Sequence, residues 1–104
     1  MKMLDILFGK SADAVYIKEM YRNGAIILDV RTPEEFKAGH IKNAINIPVH
    51  ILDEQINSLK QKNKPIITVC KSGARSSMAV TILKRAGVDA FNGGAWESLA
   101  LQIL

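Results

Sequence analysis

Cysteine is nearly absent from this sequence, which contains a single one, at position 70. One cysteine cannot form a disulfide within the chain, so the fold does not depend on an oxidising compartment. Thiol–disulfide exchange that needs a second, resolving thiol is excluded for the chain on its own. The two histidines and one cysteine are far apart in sequence and lack metal-ligand spacing, so no metal ion is expected.

Long hydrophobic runs are also missing. No apolar stretch approaches the ~20 residues of a membrane-spanning helix, and the first ten residues lack the pattern of a secretory signal. We therefore expect a cytoplasmic protein with no membrane partner. The 104 residues suffice for one domain. That domain is predicted over residues 11–104, after an N-terminal extension, residues 1–10, of undefined structure.

Acidic residues are outnumbered, with 10 Asp and Glu against 14 Lys and Arg, for a net charge of +4. A basic balance can indicate a nucleic-acid partner. Here the lysines are scattered, apart from "KQKNK" at 60–64, which is typical of a solvated helix end. We expect no nucleic-acid partner, because a positive field serves a small anionic substrate equally well.

Apolar patterns along the chain alternate between those of strands and helices. Strands are predicted at residues 25–30, 44–47, 66–69 and 89–91. Helices are predicted at 11–22, after Thr32, around 52–59, at 76–86 and from 96 to 103, with a turn at Gly93-Gly94. This alternation predicts an α/β domain with a mainly parallel sheet.

The single cysteine lies at the carboxyl end of a predicted buried strand, and a helix is expected to begin about six residues later. Ligands of open α/β sheets bind at the carboxyl ends of the strands. Gly73 can adopt a positive φ, which would turn backbone N–H groups inward as an anion nest. The helix N-terminus adds its positive end at the same place.

Charged neighbours favour a reactive Cys70. Lys71 and Arg75 add full positive charges, and such surroundings lower a thiol pKa from ~8.5 to between ~3.5 and ~7.5. The resulting thiolate is a nucleophile. The alternative is a small buried core residue, which is common for free cysteine. A lysine, a glycine and an arginine in a strand-to-helix turn favour the reactive interpretation.

Three separated segments resemble the rhodanese (thiosulfate sulfurtransferase) family. They are "CKSGAR" (70–75), "LDVRTPEEFKAGHIKNAINIP" (28–48) and "GGAWESL" (93–99), and the resemblance covers roughly residues 12–100. The resemblance implies a single rhodanese-like domain, α/β in class. Its mainly parallel central sheet would have about five short strands, with helices on both faces.

The resemblance also implies a reaction. Cys70 would take a sulfane sulfur from a small anionic donor and hold it as a persulfide. A thiol, cyanide or a partner protein would then accept that sulfur, and no cofactor is needed. The donor and the transferred sulfur would be bound by the loop residues Lys71, Ser72, Gly73, Ala74, Arg75 and Ser76. Lys71 favours thiosulfate over mercaptopyruvate as the donor.

Other functions could use the same loop. Related dual-specificity phosphatases have one more residue between cysteine and arginine than the four found here, and a shorter loop suits sulfur better than phosphate. A sulfur-carrier module that serves a partner protein would use the same residues as an enzyme. A non-catalytic binding module is disfavoured by the intact cysteine and its basic neighbours.

The remaining residues of the resemblance receive mainly structural interpretations. Asp29 and Arg31 could order the wall of the site, but a structural ion pair, with Arg31 fixing the segment around Glu35 and His40, is favoured. His40 is predicted to fix its loop by hydrogen bonds rather than to act as a general base. Trp96 could line the pocket mouth, although a place in the core is favoured.

Overall fold

The computed structural model describes the backbone of residues 9–104 and the side chains from Val15 onward. Its strands are β1 (Ile26–Asp29), β2 (Ile45–Asn46), β3 (Ile66–Cys70) and β4 (Ala90–Ala95). Its helices are α1 (Gly9–Arg22), α2 (Pro33–Ala38), α3 (Ile56–Gln61), α4 (Ala74–Arg85) and α5 (Trp96–Gln102), and a 3-10 helix (Val49–Gln55) precedes α3.

The strands form one parallel sheet in the order β2-β1-β3-β4. Leu28 of β1 pairs with Ile45 on one side and Thr68 on the other, which fixes the register of the inner strands. Every residue of β3 is buried, and this explains why that strand is apolar along almost its whole length. The parallel sheet is confirmed. Residues 9–104 supply four strands, where the resemblance implied about five.

Helices cover both faces of the sheet, because side chains alternate between the faces along each strand. Leu28 packs on one face, in a core cluster with Leu83 of α4. Ile27 packs on the other, with Ile17 of α1 and Leu99 of α5. The α/β architecture with two helical layers is therefore confirmed. Among the residues described, no helix has the length and apolar character needed to cross a membrane.

Helix α2 starts as its sequence predicts. The Thr32 side chain accepts from the Glu35 backbone N–H at 3.2 Å, and the Glu35 carboxylate accepts from the Thr32 backbone N–H at 3.0 Å. Pro33 occupies the first helical turn, where its missing N–H costs nothing. These contacts form a capping box, which places Glu35 beside the loop that follows β3.

Two predicted helix starts were wrong. Helix α4 begins at Ala74 rather than Ser76, because Gly73 has a φ of 103° and acts as the N-cap, so the chain becomes helical at once. Helix α1 begins at Gly9 and crosses the boundary drawn between residues 10 and 11. Residues 1–8 of the expected extension lie outside the described part of the chain. The predicted helix around residues 52–59 is split between the 3-10 helix and α3.

The predicted turn at Gly93-Gly94 was also wrong. Strand β4 continues through both glycines to Ala95, and Gly93 forms a bulge within it. Thr68 pairs with Asn92 and Val69 pairs with Gly94, so Gly93 has no partner in β3. A bulge lets a strand accommodate one extra residue, and glycine suits a place where another backbone comes close.

Candidate active site

The site lies at the edge of the sheet where the parallel strands end. Cys70 is the last residue of β3, and Asp29 is the last residue of the neighbouring β1. The chain turns at Gly73 and enters α4, whose first N–H groups have no partners within the helix. This geometry brings the cysteine, the loop amides and the helix N-terminus to one place.

Hydrogen-bond donors converge on the sulfur of Cys70. The Sγ atom accepts from the backbone N–H of Gly73 at 3.0 Å and of Ser76 at 3.4 Å, and it lies 3.4 Å from the Ser76 hydroxyl. Burial raises the pKa of the thiol. The Ser76 hydroxyl and the backbone N–H groups of Ser76, Gly73 and Ser72 outweigh it and hold the pKa below its usual value. The loop therefore favours a negatively charged sulfur.

The Cys70 side chain is 0% exposed. Burial agrees equally with the alternative of an inert core residue, so it does not decide between the two interpretations. The convergent N–H groups do distinguish them, because a thiol that only filled space would gain nothing from donors aimed at its sulfur. Its burial also means that the loop must move apart before a reactant can touch Sγ.

The other loop residues differ in what they present to a reactant. Lys71 and Ser72 are exposed. The Lys71 ammonium lies 3.7 Å from the Glu97 carboxylate, but both side chains are about two-thirds exposed (67% and 65%), so the pair is weak. Gly73 provides its backbone N–H, and exposed Ala74 brings no polar side chain.

Arg75 is bound by a carboxylate from a distant part of the chain. Its guanidinium donates to the two oxygens of Glu35 at 2.7 and 3.0 Å, a bidentate pair across a separation of 40 residues. The Arg75 hydrogen bond, supported by the Thr32 backbone N–H, lowers the pKa of Glu35 to about 2. The side chain of Glu35 therefore joins α2 to the first turn of α4, a contact that local spacing did not predict.

Replacing Glu35 with glutamine is expected to remove this ion pair while keeping an acceptor for the capping box. Both paired side chains are about one-third exposed (33% and 34%), so the loss at neutral pH is about 0.2–1 kcal/mol. The pKa of Glu35 is lowered in the folded protein, so its stabilisation is complete above the unfolded value of ~4.3 and is lost as the pH falls toward ~2. Urea unfolding of both proteins at several pH values measures this difference.

The gap between wild type and Glu35→Gln should shrink steadily on acidification, because protonated glutamate resembles glutamine. A gap that stays constant between neutral pH and about pH 3 would contradict the assigned ion pair. Glu34→Gln, an exposed neighbour in the first turn of the same helix, serves as the control for removal of a charge.

Asp29 and Arg31 form a buried pair at the end of β1. The Arg31 guanidinium donates to the Asp29 carboxylate, at 2.7 Å for the shortest contact, and their side chains are 4% and 0% exposed. Arg31 also donates to the backbone carbonyls of Glu35 at 3.3 Å and Gly39 at 2.7 Å. Its guanidinium carbon lies 4.6 Å from the centre of the Trp96 ring. These contacts attach the α2 segment to the sheet beside Cys70.

His40 makes its contacts within the α2 segment. Its Nδ1 lies 2.7 Å from the Phe36 carbonyl oxygen, and the two rings stack with centroids 3.6 Å apart. Trp96 is half-buried and packs against the core cluster of α1 and α5. Among the residues described, no group of three or more His, Cys, Asp and Glu side chains is placed to hold a metal.

Sequence reasoning missed two polar side chains that support the loop from β3 and β4. Thr68 donates its hydroxyl to the Ser76 carbonyl at 2.9 Å. Asn92 accepts the Ser76 hydroxyl at 2.7 Å. The sequence held one signal for each: a threonine inside a fully buried strand, and an asparagine in front of two glycines. The predicted turn at those glycines concealed the position of Asn92.

Comparison with known proteins agrees with this geometry. The chain is 32% identical over 84 residues to a sulfurtransferase of Allochromatium vinosum, covering 76% of this chain and 78% of that protein. It is 39% identical over 61 residues to the putative sulfur carrier protein YrkF of Bacillus subtilis, covering 59% and 32%. The structure of the human single-domain sulfurtransferase TSTD1 superposes with a TM-score of 0.66 at 28% identity, covering 79% of this chain and 87% of that one.

Several curated relatives are longer than this chain, which spans 57%, 44% and 32% of the length of three of them. Residues 13–97 match the family described as Rhodanese-like domain. The match covers most of the chain and includes the sheet, the cysteine loop and the start of α5. The chain therefore belongs to the rhodanese-like domain family.

Proposed function

We propose that the protein is a sulfurtransferase that moves a sulfane sulfur from an anionic donor, thiosulfate, to a thiophilic acceptor through a persulfide on Cys70. In the first step the Cys70 thiolate attacks the outer sulfur of thiosulfate. A new sulfur–sulfur bond forms, the sulfur–sulfur bond of the donor breaks, and its electron pair leaves with sulfite. Sulfur transfer of this kind is nucleophilic catalysis through a covalent intermediate.

In the second step an acceptor discharges the persulfide. Cyanide or a thiolate attacks the outer sulfur, and the electron pair of the breaking bond returns to Sγ as a thiolate. The products are thiocyanate or a new persulfide on the acceptor. The chain has one cysteine, so no second thiol within it can take the sulfur, and the acceptor must come from outside.

The observation that carries this proposal is the convergence of N–H groups on Sγ at the start of α4. These N–H groups stabilise the Cys70 thiolate before the first step. They are also in place in the second step, when Sγ becomes a thiolate again as its bond to the transferred sulfur breaks. The loop following Cys70 also leads into the N-terminus of α4, whose positive end favours an anionic donor. Lys71 adds a positive charge that its weak pair with Glu97 leaves largely available.

The experiment that tests the proposal is the intact mass of the protein after brief incubation with thiosulfate. We expect a gain of one sulfur atom, which cyanide then removes as thiocyanate. If thiosulfate adds no mass but polysulfide does, the proposed donor is wrong and the proposed Cys70 persulfide still holds. If neither reagent adds mass while a small alkylating agent still modifies Cys70, the proposed function is wrong.

A sulfur-carrier role is the second candidate, and the similarity to the putative sulfur carrier YrkF favours it. The first step would be the same, but a protein thiol would accept the sulfur, and turnover with cyanide would be incidental. Discharge of the loaded protein should then be slow with cyanide and much faster with a thiol-bearing protein acceptor. Discharge by cyanide as fast as loading would favour the enzyme. A cytoplasmic location and the absence of a nucleic-acid partner stay predictions.

A further inference from the structure

The hydroxyl of Ser76 lies beside two groups, the Cys70 sulfur and the amide oxygen of Asn92. Its Oγ lies 3.4 Å from the Cys70 sulfur and 2.7 Å from Oδ1 of Asn92. A hydroxyl has one hydrogen and donates to one acceptor at a time. In this structure the shorter contact takes the proton, so Ser76 donates to Asn92 and accepts from the thiol of Cys70.

The orientation of the Asn92 amide is fixed by its other contacts. Oδ1 accepts from the backbone N–H of Gly94 at 2.9 Å, and Nδ2 donates to the carbonyl of Gly73 at 3.3 Å. A backbone N–H only donates and a carbonyl only accepts, so these two partners settle which amide atom is which. Asn92 therefore presents a fixed acceptor to Ser76 and cannot offer an N–H there without losing both contacts.

Loss of the thiol proton reverses the needs of the sulfur. A thiol can donate to the Ser76 hydroxyl, whereas a thiolate can only accept. We propose that Asn92 is a positioning residue that competes with the Cys70 sulfur for the single hydroxyl proton of Ser76. The hydroxyl turns to Sγ in the resting thiolate. It returns to Asn92 once Sγ is bonded to the transferred sulfur and is no longer charged.

This inference rests on the proposed function and adds a consequence to it. Oδ1 of Asn92 draws the Ser76 hydroxyl away from the Cys70 sulfur. This disfavours the bare thiolate, which needs a hydrogen-bond donor, relative to the persulfide, whose inner sulfur does not. Asn92 therefore favours retention of a loaded sulfur over its release. Removing Asn92 should make the thiolate easier to form, whereas removing Ser76 should make it harder.

The charged side chains around the loop are the same in every variant below. Lys71 lies beside Glu97, Arg75 is paired with Glu35, and Asp29 and Arg31 are paired at the end of β1. Asn92 is exposed, so its replacement leaves the buried core of the domain untouched. A shift of the thiol pKa can then be assigned to the hydroxyl and its partners.

The test is the rate of iodoacetamide alkylation of Cys70 as a function of pH. Asn92→Leu is similar in size to asparagine and cannot accept a hydrogen bond. We expect it to lower the thiol pKa by about half a unit to one unit, the size of one neutral hydrogen bond. Asn92→Ala should also lower the thiol pKa, without adding a large apolar side chain. Ser76→Ala should raise the thiol pKa.

The double variant decides whether Asn92 acts through Ser76. Adding Asn92→Leu to Ser76→Ala should leave the pKa where Ser76→Ala alone puts it. A merely structural Asn92 would loosen the loop, weaken the Gly73 N–H contact with Sγ and raise the pKa in both backgrounds. A raised or unchanged pKa in Asn92→Leu, or a shift that persists without Ser76, would overturn the inference.

Alkylation needs no sulfur donor, so the two hypotheses fail separately. If the protein never loads sulfur but Asn92→Leu lowers the thiol pKa, the proposed function is wrong and the competition for the proton stands. If the protein loads sulfur and the pKa does not fall, only the role of Asn92 is wrong.

Discussion

Replacing Cys70 with serine is expected to abolish sulfur loading completely, because no other thiol exists in the chain. The serine hydroxyl would occupy the same place among the donors of Gly73 and Ser76, so the fold should be retained. A hydroxyl stays protonated at neutral pH and is a poor nucleophile toward sulfane sulfur. Intact mass after thiosulfate treatment, with thiocyanate release measured in parallel, should show neither a gain nor a product.

A relocated thiol provides the matched control. Ser77 is exposed on α4, immediately after the residue that contacts Sγ. The double variant Cys70→Ser with Ser77→Cys restores one cysteine, away from the N–H groups of Gly73 and Ser76 that contact Sγ. We expect it to be alkylated with the pH dependence of a free thiol and to load little sulfur from thiosulfate. Loading at the wild-type rate in this variant would show that the loop does not select the reactive sulfur.

Replacing Gly93 with alanine is expected to destabilise the fold strongly. A Cβ at this position would lie 2.8 Å from Cγ2 of Ile67 and 2.9 Å from the Thr68 carbonyl oxygen. These atoms belong to β3, which is buried between β1 and β4, so the strand cannot shift without disturbing its neighbours. Overpacking of this kind costs about 1–3 kcal/mol. Each kcal/mol lowers Tm by about 4–8 °C in a domain of this size.

Thermal unfolding followed by circular dichroism measures this effect, and Gly39→Ala is its control. A Cβ at Gly39 meets only the tip of the Trp96 ring, at 3.1 Å, and Gly39 also needs no positive φ. That contact is the outer end of a half-buried side chain rather than the backbone of a central strand, so Gly39→Ala should lower Tm less than Gly93→Ala. Equal losses of Tm in the two variants would mean that the close approach at the bulge is not the cause.

Local rules predicted those parts of the fold that depend on neighbouring residues. Thr32 and Glu35 are three positions apart, which is the spacing of a capping box, and the structure has that box. Gly73 could accept a positive φ, and it does, at 103°. Buried apolar runs predicted the parallel sheet, because strands covered on both faces have no polar side to show.

Contacts between distant segments could not be predicted in the same way. Glu35 and Arg75 are 40 residues apart, and nothing in the spacing of either segment indicates that they meet. Asn92 pairs with Thr68 in the sheet and reaches Ser76 across a separation of 16 residues, which no local spacing indicates. A glycine pair is typical of turns as well as of bulges, so the chemistry of one segment alone did not separate them.

The complete burial of Cys70 also limits how this protein can react with a second copy of itself. An intermolecular disulfide needs two sulfur atoms ~2.05 Å apart, with their Cα atoms only ~4.4–6.8 Å apart. Two sulfurs that each lie beneath their own loop cannot approach so closely while both loops stay in place. The reduced protein should therefore resist covalent dimerisation in air, even though the pKa of its thiol is lowered. A reactant that needs only one loop to open meets a smaller barrier than a second copy of the protein, which needs both loops to open together.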